Sequence, residues 1–367
     1  MAIKSIKVLN VLAFQRQWRN ENRDLKEKPL QAGDHLSDAF SLDFCDGINV
    51  LIGENGTGKT SLLKMIYAAT QWSHRKTDIG KTDQLQKFFS NNLTDSTSLK
   101  SADRPNDYSE YIVSDGKHTF HSSLTLNGIL GYEQWLGLDI PSIFIPTTEM
   151  LSHSKGFLAL NQKYKMPFDG TQVDIIVNAS LPEAREIPPY MQNILDKIGT
   201  VIDGEIIQED DTFYVLKKDG RKIDFSLEAE GLRKLGLIWK LIRNGLLEAG
   251  TILLWDEPEA NLNPELFPLI AEILLELEKN GIQIFVATHS YNFAKYLEIR
   301  RTKREQVQFH NLYKGNSQAP DNITSVFSDS NHCDHIIYSV SAYTMEDLGF
   351  NHIMAADEKL LNEIYEM

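Results

Sequence analysis

Cysteine is nearly absent from this 367-residue chain, which carries only Cys45 and Cys333. A disulfide framework is therefore not expected, and a reducing compartment is the simpler setting. No apolar run approaches the roughly 18 residues needed to cross a bilayer. The start, Met1 to Lys7, also lacks the apolar block and cleavage site of a secretory signal. These absences lead us to expect a cytoplasmic protein with no membrane partner. Excess positive charge is missing too: the formal net charge is −14, which argues against binding nucleic acid through the whole surface. Two local basic stretches remain, Arg16, Arg19, Arg23, Lys26 and Lys28 near the start and Arg300, Arg301, Lys303 and Arg304 late in the chain. Each reads as a solvated loop or helix end or, alternatively, as a polyanion contact. There is no low-complexity tract, no internal repeat and no long heptad pattern, so a coiled-coil rod is excluded.

What is present is the composition of a globular protein, 42% hydrophobic and 24% charged, on a chain long enough to bury a sizeable core. Ile3–Phe14 and Phe40–Ile52 read as strands joined by a polar loop, and Thr60–Gln71 has helical spacing through Leu62, Leu63, Ile66 and Tyr67. A polar segment over 71–140 contains an expected hairpin, Tyr111–Val113 and His118–Leu124 about an Asp-Gly turn. Ser142–Ile145 is a short apolar strand. A helical and hairpin lobe follows over 151–225, with a turn at Lys218–Gly220. Beyond a helix at Leu232–Leu247 the chain alternates: strand Thr251–Trp255, helix Pro264–Glu278, strand Ile282–Ala287, helix Tyr291–Leu297. Buried strands alternating with helices predict an α/β fold with a parallel sheet covered on both faces. Residues 300–367 read as a C-terminal extension of one domain spanning 1–367.

Three segments carry chemistry. Gly53-Glu54-Asn55-Gly56-Thr57-Gly58-Lys59-Thr60-Ser61 fits G-x-x-x-x-G-K-[ST] between a predicted strand and a predicted helix. In that setting successive main-chain N–H groups and the helix N-terminus face phosphate oxygens. Lys59 adds a cation near the β- and γ-phosphates, and the Thr60 hydroxyl is a magnesium ligand. ATP with magnesium is the expected cofactor pair; the plain alternative is a glycine turn capping an ordinary helix. The second segment, Thr251–Pro258, is an apolar strand ending in Asp256 and Glu257. Asp256 is then placed to hold magnesium and Glu257 to polarise the attacking water as a general base. A capping pair at a strand-to-helix junction is the alternative. The third is Thr288-His289-Ser290 at the next strand end, where His289 would contact the γ-phosphate. His332-x-x-His335, with Cys333 and Asp334, lacks two further ligands at metal spacing and reads as surface chemistry.

In this order the motifs resemble those of ATP-binding-cassette ATPases. Asp256-Glu257-Pro258-Glu259-Ala260-Asn261-Leu262-Asn263-Pro264 looks like their Walker B segment running into the D-loop, and Gly53–Ser61 resembles the P-loop of the RecF, SMC and OLD branch. The resemblance implies a P-loop NTPase head with a mixed sheet, an antiparallel N-terminal lobe and a helical lobe. It implies ATP hydrolysis by a homodimer or higher homo-oligomer that sandwiches two nucleotides, each signature touching the γ-phosphate held by the other head. The matching signature is Leu227–Lys234, with Ala229, Glu230 and Gly231 at the contact; Ala229 stands where serine is usual, and Glu228 and Glu230 add negative charge. Leu-Ser-Gly-Gly-Gln, expected of a transporter ATPase, is missing, and after His289 no acidic cluster resembles a Toprim site. Phe144–Leu151 resembles a segment of stand-alone bacterial ATPases of phage-defence type, which implies a separately encoded effector as partner. DNA is a further partner that the branch allows, through a RecF-like clamp; a nucleotide-gated scaffold with little turnover is a third reading. Glu149 is a candidate for the magnesium-sensing position, and Phe14 and Arg16 for stacking on adenine.

Overall fold

Three mostly apolar strands, buried along their whole length, set the architecture. In the computed structural model they are β3 (Ile48–Gly53), β11 (Ile252–Asp256) and β12 (Gln283–Thr288), and they lie side by side and parallel. The structure describes residues 1–15, 39–75, 85–90, 92–93, 95–102, 106–126, 128–130, 134–164, 166–315, 336–349 and 351–365. The sheet is completed by β7 (Ser142–Ile145) beside β11, by β13 (Val307–Lys314) beside β3, and by β14 (Ile337–Ala342) at the far edge. The order is β14-β13-β3-β12-β11-β7, and only β14 runs antiparallel.

Period-2 alternation sends successive side chains to opposite faces, and the two faces carry separate cores. Leu51, Ile252, Leu254 and Phe285 meet Leu62, Met65 and Ile66 of α1 (Lys59–Ser73). On the other face Val50, Leu253, Trp255 and Ile284 pack with α6 (Phe267–Lys279) and α7 (Tyr291–Arg300). The α1 face is closed by an antiparallel sheet of β1 (Ser5–Leu9), β2 (Phe40–Asp43), β4 (Glu110–Ser114), β5 (Thr119–Ser123) and β6 (Gly128–Leu130), in the order β2-β1-β4-β5-β6. The hairpin expected about Asp115-Gly116 is the β4–β5 pair of this sheet.

The opposite side carries α2 (Phe157–Tyr164), α3 (Gly170–Ala179) and α4 (Pro189–Val201), then β8 (Gly204–Glu209), β9 (Thr212–Lys217) and β10 (Lys222–Asp224), and α5 (Glu230–Arg243). Helix α3 starts with a reciprocal capping box between Asp169 and Gln172. A C-terminal helix, α8 (His352–Tyr365), packs near α7 and β3.

Several boundaries differ from those expected. Ile3–Phe14 is not one strand: β1 stops at Leu9 because Asn10 and Leu12 are left-handed, with φ of 53° and 52°. Phe40–Ile52 splits into β2 and β3, which belong to different sheets. The break is held by the Asn49 side chain, which accepts from Cys45 N–H at 2.9 Å and donates to Cys45 C=O at 3.0 Å. Gly47 is required there, since a Cβ would lie 2.4 Å from the Gln306 carbonyl oxygen. Apolar periodicity runs through this turn, which is why the sequence reads as unbroken. The helix placed at Leu232–Leu247 starts at Glu230 and ends at Arg243. The sheet strands β13 and β14 fall within the 300–367 extension. Arg16 to Lys28 and His332 to His335 lie outside the described residues.

Candidate active site

The phosphate loop is the turn between β3 and α1. Gly56 and Gly58 adopt φ of 79° and 87°, a conformation that costs glycine little. Behind Gly58 lies the Phe14 ring, whose Cζ would be 2.5 Å from any Cβ placed there. Phe14 is fully buried against Phe40, with ring centroids 4.6 Å apart. It backs the loop instead of stacking on a base, which corrects its candidacy for adenine.

The Lys59 ammonium is buried and donates to the carbonyls of Gly53 and Glu54, at 2.8 Å each. Burial brings it down to about 8, against the pull of the Asp256, Glu257, Glu259 and Glu54 carboxylates. A second cation stands at the loop's apex: Lys314 Nζ lies 3.8 Å from where a Gly56 side chain would begin. Lys314 ends β13, whose pairing with β3 brings Leu312 opposite Gly53. Sequence reading missed it, because only the sheet order joins the two.

Asp256 ends β11 between two parallel neighbours, where such sheets present residues to a ligand crevice. The Thr60 hydroxyl lies 3.0 Å from both carboxylate oxygens, and the Thr147 hydroxyl donates to Oδ2 at 3.0 Å. Burial raises the Asp256 pKa and the two hydroxyls oppose the rise. Oxygen donors thus converge on one buried carboxylate, the chemistry a hard divalent cation takes.

Glu257 follows in a left-handed conformation, φ 49°, with its N–H bonded to the Ala287 carbonyl at 2.9 Å. That bend carries its half-buried side chain to within 3.4 Å of His289 Nε2. Burial, then the nearby Lys59 charge, lower the His289 pKa and favour the neutral ring. Glu259 fastens the two strand ends: its carboxylate accepts from Thr288 Oγ1 at 2.5 Å and from His289 N–H at 3.0 Å. A cavity of about 650 Å³ opens between Gly53–Asn55, His289–Asn292 and one side of α8.

The structure therefore gathers Gly53 to Ser61, Asp256, Glu257 and His289 at one end of the sheet. It treats the signature segment differently. Ala229 is the N-cap of α5 and offers no side-chain bond. Glu230 accepts from Asn261 Nδ2 at 2.9 Å, and Gly231 packs on Asn261 and Leu262. Among the described residues no hydrogen bond or ion pair joins 229–231 to the phosphate loop. The charge on Glu228 is met by Lys217 at 2.7 Å. Glu149 does not face Asp256: its carboxylate accepts from the Leu151 and Ser152 amides and pairs with Arg233 at 3.3 Å. Thr147, two residues earlier, makes that contact. Its signal lay in the strand Ser142–Ile145, which pairs with β11 and so ends beside Asp256. Among the described residues no cluster of His, Cys, Asp and Glu could hold a metal by itself, and no helix is long and apolar enough to cross a membrane.

The chain is similar to several known proteins. The L-cystine import ATP-binding protein TcyN of Bacillus subtilis (strain 168) is 29% identical over 146 residues, which cover 33% of this chain and 55% of TcyN. The chain thus spans about half the length of that relative. Among solved structures, an Smc head bound to the C-winged helix domain of ScpA superposes with a TM-score of 0.50 at 10% identity, covering 95% of this chain and all of that one. The SMC head domain from Thermotoga maritima gives a TM-score of 0.45 at 14% identity, covering 93% of this chain and 99% of that one. The fold is that of an SMC head, with the mixed sheet that the resemblance implied. Residues 35–132 match an AAA domain family. Residues 96–294, more than half of the chain, match the family described as "AAA domain, putative AbiEii toxin, Type IV TA system", and the chain belongs to that family of P-loop ATPase domains.

Proposed function

We propose that this protein hydrolyses ATP between two copies of itself and uses the cycle to control a separately encoded effector in anti-phage defence. One observation carries the hydrolytic part: Asp256 joined to Thr60 and Thr147, with Glu257 and His289 3.4 Å apart, all beside the phosphate loop. Lys59 and the loop amides would hold the β- and γ-phosphates. Thr60 and Asp256 have the hard oxygens that suit magnesium and would hold it; when bound, it offsets phosphate charge. Glu257 orients the attacking water and takes its proton as the water oxygen bonds to the γ-phosphorus and the bond to ADP breaks. His289, favoured as the neutral ring, is placed to hydrogen-bond the γ-phosphate.

The effector reading rests on the family description, which names a "putative AbiEii toxin" of a type IV system, and on the likeness of Phe144–Leu151 to a segment of phage-defence ATPases. A DNA clamp has less support: Arg300 pairs with Glu272, Arg301 with the Tyr343 carbonyl and Arg304 with Asp347. The scaffold reading has one specific support, the uncapped Ala229.

The test is Glu257→Gln. ATP affinity by calorimetry is expected to stay within about twofold while kcat falls about 100- to 1,000-fold. Light scattering with Mg-ATP should show the variant as a dimer. A normally hydrolysing Glu257→Gln removes the assigned base, and a monomer at saturating ATP removes the sandwich. Turnover stimulated by DNA and lost steeply with added salt would favour the clamp.

A further inference from the structure

Lysines are rarely buried, and a buried one needs a partner that repays the loss of water. Lys234 lies one turn into α5 and is 2% exposed. Its Nζ donates to the main-chain carbonyl of Glu257 at 3.0 Å. The carboxylates acting on it are those of Glu259, Glu230, Glu257 and Asp256. Glu257 is held from its other side as well, by the N–H bond to Ala287. Its left-handed backbone is a costly conformation for glutamate and persists only where such contacts determine it.

Lys234 is one of three ties between the first turns of α5 and the segment after β11. Asn261, itself left-handed at φ 58°, donates to Glu230, and Gly231 sits so close that a Cβ would meet the Asn261 carbonyl oxygen at 3.1 Å. The turn that would meet the other head's nucleotide is thereby fastened to the backbone of this head's own Glu257.

We propose that Lys234 is a positioning residue for Glu257 and carries coupling between the two nucleotide sites: a phosphate received at the Glu230–Gly231 turn shifts α5, and the Lys234 bond passes that shift to the Glu257 backbone. This rests on the dimeric ATPase reading given above. It differs from a contact to nucleotide, because Lys234 points at a main-chain oxygen and not at the phosphate loop.

The experiment uses the full chain with Lys234→Met and Lys234→Arg, following velocity against ATP concentration and binding of a slowly hydrolysed ATP analogue. Lys234→Met is expected to lower kcat about 30-fold, to leave analogue affinity within about twofold, and to reduce the Hill coefficient of a cooperative wild type to 1. Lys234→Arg, which restores a donor, should recover at least a third of the lost rate and part of the cooperativity. Wild-type kcat and cooperativity in Lys234→Met would overturn the proposal. So would parallel loss of analogue binding and turnover, which marks a merely structural role, with circular dichroism and melting temperature reporting whether the variant folds. A non-cooperative wild type that still dimerises overturns the coupling alone. A wild type that neither hydrolyses nor dimerises sinks the underlying reading, and the proposal with it.

Discussion

The turns that open α1 and α5, both phosphate contacts in the proposed dimer, are built on opposite plans. The turn before α1 has glycine at its cap, a buried lysine at the first helical position and no acidic residue in the first turn. The turn before α5 has Ala229 at its cap, Glu230 at the first position and no capping side chain. Helix N-termini favour anions through unpaired N–H groups and the dipole, yet only the first has a cation at its opening position. The second spends its polar groups on its own chain, Glu230 on Asn261 and Glu228 on Lys217. One turn is a complete cradle, whereas the other, on the dimeric reading proposed above, would need a phosphate delivered on another head.

The sharpest way to break this contrast is Lys59→Ala. A charge-assisted contact to phosphate contributes about 2–3 kcal/mol, so ATP affinity should fall on the order of 100-fold in calorimetry. If affinity is kept, the loop amides alone are the cradle and the two turns are more alike than their residues suggest. A smaller change works in the opposite direction. Ala229→Ser gives α5 a capping hydroxyl, for which about 1 kcal/mol is expected. The melting temperature should rise by about 2 °C, and ATP-dependent dimerisation in light scattering should strengthen several-fold. A variant with a raised melting temperature but unchanged dimerisation would show that the hydroxyl caps the helix without reaching a partner's nucleotide.

The two turns also differ in how far the sequence disclosed them. The strand, glycine loop and helix around Lys59 are contiguous, so spacing alone located them, and the apolar run into Asp256-Glu257 located the second strand end. Thr147, Glu259, Lys234 and Lys314 were missed because each acts across sheet order or between helix and strand, at separations no local pattern encodes. The adenine candidate Phe14 fared worse, since it is an apolar residue next to a loop and burial behind Gly58 gives the same sequence pattern as exposure in front of it. The strand Phe40–Ile52 was read as one because a side-chain amide at Asn49, not a break in periodicity, makes its turn. Fold and phosphate loop were legible from local rules, whereas the connections between them depend on tertiary placement.

The lobe that carries α5 is itself clamped to the helix of the first turn, and the clamp is ionisable. Helix α3 meets α1 through Lys64–Asp169 at 2.7 Å and through the Tyr67 hydroxyl, which donates to Asp174 Oδ2 at 2.9 Å. Burial raises Asp174 to about 6; Asp169 adds to the rise, whereas the Tyr67 hydroxyl and Lys87 oppose it. A carboxyl whose pKa is raised on folding stabilises the fold below its unfolded value near 4 and loses that contribution as pH climbs through 6. Asp174→Asn keeps an acceptor for Tyr67 and never has to ionise. The full difference in pKa sets an upper bound of about 3 kcal/mol, which residual solvent and Lys87 reduce to an expected gain of about 1 kcal/mol, or about 2 °C. The variant should therefore melt higher than the wild type at pH 7.5 and match it at pH 4. Equal melting at both values would mean that Asp174 ionises without penalty, and that the lobe meets α1 through a contact open to water.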